Sequence, residues 1–476
     1  MVTASEVATM EFMRLHTTFD VPAVYAWSKN PTNPVRSEYI LMEDVRGVPL
    51  LESWYSISGS PVSTAVLRLV NNVYSMSTVP FSQIGSIYFK EDLPQELQSR
   101  PLFGSTIVEQ FRPAESQFRI GPIADYSWWR TMHDENNLDR GPCEWGFCLL
   151  YFSLKAILCL CIVLGGNIEE FFIAAANLEQ RTVQRYQMNA GLLSSTRSSS
   201  LHDLKDAEAL LEKVRTLAPT LQSALYHPLT SASLTGSVAV HADLGPNNLM
   251  VPADDGQNTV SRMERLTYID WQGTSALPLA LQMDVPAVVQ YDGTVVEIPS
   301  DLSAIPWPSD MDTMSEDERE YVRFHHRLAS RQLGYTKTMF KNFPAWAVLH
   351  THSLYPWISQ LPSRILRLVA DGPVMLRECL INICDNWQEK KWGACPISFT
   401  DDERGAHQAE LSSRQLYERN IEETRRAIGT DADGWVSHED YEEAQKRFEN
   451  ARRNWDSEAC GGPWPFENGS WSFFLT

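Results

Sequence analysis

Between Val238 and Asp270 the chain sets three polar residues among apolar flanks, and no other stretch limits its folding choices as strongly. It reads Val238-Ala239-Val240-His241-Ala242-Asp243-Leu244-Gly245-Pro246-Asn247-Asn248-Leu249-Met250-Val251, then a polar excursion, then Leu266-Thr267-Tyr268-Ile269-Asp270. The pattern predicts strand, loop, short strand, turn and strand, with a carboxylate exposed where the last strand ends. A hairpin built on turn-forming Asp and Asn residues accounts for the loop. It leaves the second Asp, on an apolar strand, without a reason. His-x-Asp, an Asn five residues after that Asp and a further Asp leaving a strand together suit phosphoryl transfer. In that chemistry Asp243 orients and deprotonates a hydroxyl, Asn248 and Asp270 hold metal ions bridging nucleotide phosphates, and His241 fixes the loop.

On these residues the stretch resembles the protein-kinase-like phosphotransferases, and in particular the aminoglycoside phosphotransferase branch, whose loop reads His-x-Asp. Ile269-Asp270-Trp271-Gln272-Gly273-Thr274-Ser275, with Pro278-Leu279 and Leu281-Gln282, is similar to the fungal altered-inheritance-of-mitochondria family. The resemblance implies ATP and Mg2+ as cofactors. It makes Asp270 the counterpart of the Asp in Asp-Phe-Gly.

The same resemblance organises the N-terminal residues. Helical periodicity over Ala4 to Leu15 puts Val7, Met10 and Met13 on one face, with Thr3 or Ser5 near the start. Ser5-Glu6-Val7-Ala8-Thr9-Met10 matches the family helix whose Glu pairs with a strand lysine that contacts the nucleotide phosphates. By itself, Glu6 is equally a first-turn carboxylate favoured by the helix dipole. Val21 to Trp27 and Ser37 to Met42 read as strands joined by the turn Asn30-Pro31-Thr32-Asn33-Pro34. Met42-Glu43-Asp44-Val45-Arg46-Gly47 is then the hinge, where the backbone around Glu43 and Val45 meets a purine and Met42 packs on it. Two parts of the family pattern are missing. No Gly-x-Gly-x-x-Gly occurs, and Lys29, the only lysine before the hinge, falls in a turn. The chain is therefore expected to be either a truncated reading of an active enzyme or a protein that has lost catalysis.

Charge narrows the partners. Forty Lys and Arg against sixty Asp and Glu give a net charge of -20, which disfavours binding along a nucleic-acid backbone. The eight cysteines lack zinc-ligand spacing, and with no secretory signal they predict reduced thiols. No Gly-x-Ser-x-Gly or His-Glu-x-x-His appears, which argues against a hydrolase.

The middle of the chain is mostly helical. Ser63 to Val79 carries a predicted core stripe of Val66, Leu67, Leu69, Val70 and Val73, and Ile84 to Phe89 alternates as a strand. The family-like cluster Tyr126-Ser127-Trp128-Trp129-Arg130 is either packing or substrate contact, and Asp139-Arg140-Gly141-Pro142 carries the resemblance further. Phe147 to Leu164 holds one charge, Lys155, and three cysteines, Cys148, Cys159 and Cys161. Length and apolarity suit a membrane span. Topology opposes it, since both flanks belong to one catalytic lobe; translated non-coding sequence and a buried or interfacial helix remain as readings, and membrane association is not expected. Helices are predicted over Ile168 to Met188 and Leu201 to His227, with the Ser-rich loop Gly191 to Ser200 between them. After Asp270, Ser275, Gln282 and Asp284 either touch an acceptor or shape turns.

Capping boxes at Ser315-Glu316-Asp317-Glu318 and Thr400-Asp401-Asp402-Glu403 open helices to about Leu333 and Ile428. Ser437-His438-Glu439-Asp440 opens another to about Asp456. Adjacent His325 and His326 point different ways and make a poor ligand pair. Asp431-Ala432-Asp433-Gly434-Trp435-Val436 invites a calcium-loop reading, with Asp440 last, but Gly429 stands at the first ligand position. Asn468-Gly469-Ser470 is a glycosylation acceptor only in a secreted chain.

The expected fold is α+β, a kinase-like two-lobe architecture. Residues 1–46 form a reduced N-lobe of helix, two strands and hinge; residues 47–476 form a large, mainly helical C-lobe with the insertion 147–164 and a helical extension. The expected function is ATP- and Mg2+-dependent phosphotransfer to a hydroxyl of a small molecule, and the alternative is a catalytically impaired protein with a binding or scaffolding role in mitochondria. The resemblance implies a mitochondrial location, although acidic Glu6 and Glu11 make the first residues unlike a transit peptide.

Overall fold

The structure, a computed structural model, describes residues 1–104, 109–129, 168–189, 201–225, 236–253, 259–293, 295–430 and 436–466. It mixes helices with small antiparallel sheets, in agreement with the α+β class. Two compact units emerge, Met1–Ile397 and Ser398–Thr476. Phe147–Leu164 with its cysteines, Arg130, Asp139–Pro142, Gly191–Ser200, His227, Asp431–Trp435 and Asn468–Ser470 lie outside the described residues.

The first unit opens with the helix Val2–His16, which buries Val7, Met10, Phe12 and Met13 on one side. It starts at Met1 without a side-chain cap, so neither Thr3 nor Ser5 caps it, and Glu6 sits beyond the first turn. The first-turn dipole reading of Glu6 is thereby corrected. This helix packs against the antiparallel pair β1 (Val24–Ser28) and β2 (Tyr39–Met42). Asn30 shapes the expected turn between them, its Oδ1 accepting from the Thr32 N–H at 2.9 Å.

After residue 47, β3 (Val48–Pro49) pairs with β7 (Leu249–Val251), which pairs in turn with β8 (Thr267–Tyr268). Gly47 is required at this junction, because a Cβ there would stand 2.4 Å from the Val251 carbonyl oxygen. Two more antiparallel pairs complete the sheets. β4 (Ser86–Phe89) runs beside β5 (Phe118–Gly121), and β6 (Ser237–Ala239) beside β9 (Ala276–Pro278). The polar excursion before β8 contains the short helix Thr259–Met263 rather than a plain turn.

Helices enclose this centre. Ser60–Ser77 buries Val66, Leu69, Val70, Val73 and Met76, the i, i+3, i+4 stripe of one face, and packs on Glu316–Asn342. Leu67 lies off that stripe and is 50% exposed, so it is not the core residue its hydrophobicity predicts. Ile168–Asn189 and Leu201–Ala224 pack along each other, near their expected limits. The Ser315–Glu318 capping box is formed, but its helix continues past Leu333 to Asn342 because Tyr335 and Met339 are buried on it.

In the second unit the Thr400–Glu403 box caps Asp401–Ile428, and Gly429 ends that helix in the left-handed region. It packs on Tyr441–Asn454 around Ile421, Ile428, Ala444 and Phe466. Asp440 accepts from the Ser437 hydroxyl at 2.7 Å at the start of the second helix.

Candidate functional site

The loop between β6 and β7 is closed by its own side chains. His241 is 5% exposed; its Nε2 donates to the Ile269 carbonyl at 3.0 Å, and its Nδ1 accepts from the Asp243 N–H at 3.2 Å. That pattern defines a neutral imidazole. Burial lowers its pKa, against the opposing pull of the Ile269 carbonyl, Asp243 and Asp270. His241 thus joins the loop to the strand that delivers Asp270, and Trp271, fully buried, packs on it with ring centres 4.6 Å apart.

Asn248 holds the far end. Its Nδ2 donates to both the Asp243 carbonyl, at 2.9 Å, and Asp243 Oδ2, at 3.0 Å. The Asn248 amide oxygen carries none of these bonds, while Asp243 itself is solvent-exposed. The Ile269 N–H donates to the Asn248 carbonyl at 3.1 Å, a second tie to the same strand. Asp270 follows with φ at 60°, a left-handed conformation that Asp tolerates better than most residues. Gly273, φ at 72°, completes the turn.

Glu6 reaches this place from the N-terminal helix. Burial first, and then the like charge of Asp270, push its carboxyl up to about 7. Lys29 does not serve it, since its ammonium pairs with Asp92 at 2.6 Å. Helix and strand end therefore bring two carboxylates into one field.

In the segment expected to form the hinge, a cavity of about 220 Å3 is lined by Glu43, Val45, Arg46, Met250, Asp20 and Thr267 among others. Met42 ends β2 at 39% exposed and is not part of that lining. The Glu43 N–H is already donated to the Ala23 carbonyl at 2.8 Å, and Glu43 Oε2 accepts from the Ala23 N–H at 3.2 Å. Among the described residues no three His, Cys, Asp or Glu side chains gather as a metal cage. His326 instead stacks on Trp307 and meets the Ile305 carbonyl, and His325 faces Tyr291.

The segment after Asp270 is tied into the framework. Ser275 Oγ is 2.8 Å from Ser86 Oγ and donates to the Gly273 carbonyl at 3.2 Å. Gln282 Nε2 donates to Val238 and Leu277 carbonyls at 2.6 and 2.8 Å, bracing β6 against β9. The Leu244 carbonyl accepts from the Val288 N–H at 3.0 Å, so this segment also supports the loop.

No protein-family profile matches the chain, and no solved structure does. Curated relatives exist in fungi. A subtelomeric hrmA-associated cluster protein of Aspergillus fumigatus is 27% identical across 98% of this chain and 89% of its own length. The mitochondrial altered inheritance of mitochondria protein 9 of Yarrowia lipolytica is 24% identical across 92% of the chain and 69% of its own. Its namesake in Saccharomyces cerevisiae is 21% identical across 92% and 67%. The chain is thus similar along most of its length to proteins of which two carry the name altered inheritance of mitochondria protein 9. The names of the Yarrowia and Saccharomyces proteins agree with the mitochondrial location that the resemblance implies. Among the described residues no helix is long and apolar enough to cross a membrane.

Two further residues belong to the site's geometry. Met250, from β7, lines the hinge cavity; its place two residues after Asn248 was the available signal. Asp125 approaches from the loop after β5. A Cβ built on Gly273 would be 3.8 Å from Asp125 Oδ2 and 3.8 Å from the Ala242 Cβ, which sets this carboxylate beside the loop. Its neighbour Trp128 is buried against Phe171 with ring centres 5.6 Å apart, the packing role, whereas Tyr126 is 64% exposed.

Proposed function

We propose that this chain is a kinase-like phosphotransferase of the aminoglycoside phosphotransferase type, binding ATP with Mg2+ and phosphorylating a hydroxyl of a small molecule. The observation that carries the reading is the clamp of Asn248 on Asp243, in a loop tied by His241 to the segment after β8 that bears Asp270. Asp243, exposed and held at one oxygen, is placed to take the proton of an acceptor hydroxyl. Asn248, donating through nitrogen, keeps its amide oxygen for a cation, and Asp270 supplies a carboxylate. The donor set fits Mg2+, which keeps several waters and takes its other ligands from phosphate oxygens. The mutual repulsion of Glu6 and Asp270 adds a demand for positive charge there. When bound, the ion would neutralise charge on the transferring phosphoryl group. The hinge cavity, with Val45 and Met250, would take the base. The mitochondrial names of the relatives support a mitochondrial place of action.

The test is binding of Mg2+ and ATP by calorimetry, followed by release of labelled γ-phosphate, with Asp243→Ala and Asp270→Ala as controls. Binding abolished by Asp270→Ala and turnover abolished by Asp243→Ala are the expected results. Absence of binding in the parent protein would refute the proposal. A second reading, binding without turnover, is favoured by the pairing of Lys29 with Asp92. Lack of one preorganised cation at the phosphates costs on the order of 10² to 10³ in rate. Nucleotide binding with no phosphate release would select that reading.

A further inference from the structure

Two thiols meet among the helices of the first unit, on residues that take no part in the loop His241–Asn248. Cys384 lies in the last turn of the helix Val374–Asp385, and Cys395 in the segment after the short helix Glu389–Trp392. Their Sγ atoms are 3.8 Å apart, which is sulfur–sulfur contact, and both side chains are partly exposed. The Cys384 thiol also points at the Ile397 carbonyl at 3.6 Å, so it faces the segment carrying Cys395.

The approach is built by the loop between them. Trp387 Nε1 donates to the Gly393 carbonyl at 2.9 Å, and Trp387 meets Trp392 edge-on with ring centres 5.3 Å apart. These contacts fold residues 385–394 back on themselves and return Cys395 to the helix end. A disulfide requires about 2.0 Å between sulfurs. Closing the remaining gap asks for movement of Cys395, which stands on a segment outside helix and strand. Cys379, one helical turn or so earlier, provides the contrast. It is buried, its thiol donates to the Trp357 carbonyl at 3.1 Å, and burial pushes its pKa up to about 12, the signature of an inert structural cysteine.

We propose that Cys384 and Cys395 are a reversible modification site, a dithiol that reacts with small-molecule disulfides such as oxidised glutathione. One thiolate attacks the glutathione disulfide, forming a mixed disulfide and releasing one glutathione. The second thiolate attacks the protein sulfur of that mixed disulfide and expels the other glutathione. Two electrons and two protons leave the protein, and one glutathione disulfide becomes two glutathiones. The product staples the end of the helix Val374–Asp385 to the segment before Ile397. Trp392, inside the stapled loop, stacks on His352, whose Nε2 lies 3.0 Å from the carbonyl of Ala224 at the end of Leu201–Ala224.

The experiment incubates the full chain with oxidised glutathione, traps remaining thiols with N-ethylmaleimide, and reads the digested peptides by mass. The expected product is a cross-linked peptide pair, lighter by two hydrogens and restored by dithiothreitol. Cys384→Ser and Cys395→Ser should each stop at a glutathione adduct on the remaining cysteine. Oxidation should also raise the thermal unfolding midpoint of the parent and of neither variant, because the closed loop restricts the unfolded chain. Separate glutathione adducts on both cysteines of the parent, or both thiols still fully alkylated, would overturn the proposal.

Discussion

The loop His241–Asn248 and the facing helix with Glu6 reach the same place by opposite physics. The loop is self-satisfied: His241 and Asn248 spend their hydrogen bonds on Asp243 and on the segment leading from β8 to Asp270. Glu6 is set against Asp270 with burial and like charge both acting to raise its carboxyl. One side is rigid before anything binds. The other stores an electrostatic conflict that a cation would relieve, a difference common where structure ends and function begins.

Truncating His241 tests the rigid side most severely. His241→Ala removes two hydrogen bonds and the ring packed on Trp271, and should cost about 3 kcal/mol of stability, read as a lower urea midpoint. Glu6→Gln tests the conflicted side. A carboxyl raised to about 7 from an ordinary 4.5 makes the folded state hold the proton more tightly than the unfolded one. The parent's stability should therefore be full below pH 4.5 and fall as pH rises through about 7. Glu6→Gln should lose that dependence and exceed the parent by about 2 kcal/mol at alkaline pH, after allowance for its partial exposure. Equal pH profiles would remove the contrast between the two sides.

Asn248→Ala should cost about 1 kcal/mol in stability, yet free the Asp243 carboxylate and so weaken turnover more than folding. The smallest effect belongs to Lys29→Ala. Breaking an exposed pair with Asp92 should change stability by about 0.5 kcal/mol and leave nucleotide binding unaltered. A marked loss of binding in that variant would mean that Lys29 reaches the phosphates in solution.

Local signals read true where the residues concerned lie within a few positions of each other. The boxes at Ser315 and Thr400 close within four residues each, and both caps form as their spacing predicts. The end of the first of these helices was not legible, and the helix runs past the expected Leu333. Burial of Tyr335 and Met339 carries it on, and Pro344 follows the end at Asn342. Leu67 failed for a related reason: hydrophobicity names a candidate, and only the neighbouring helix selects a face.

The site divides along the same line. Sequence alone determined which residues could form the loop, because His241, Asp243 and Asn248 lie within eight positions and the hydrogen bonds among them are short-range in the chain. Tertiary structure alone decided that Glu6 meets Asp270 and that Lys29 is spent on Asp92. It also decided that Asp125 stands over Gly273, and that the amide nitrogen of Gln282 braces β6 against β9. Each of these joins residues from separate elements, and packing, which no local pattern encodes, sets the distance across which their charges act.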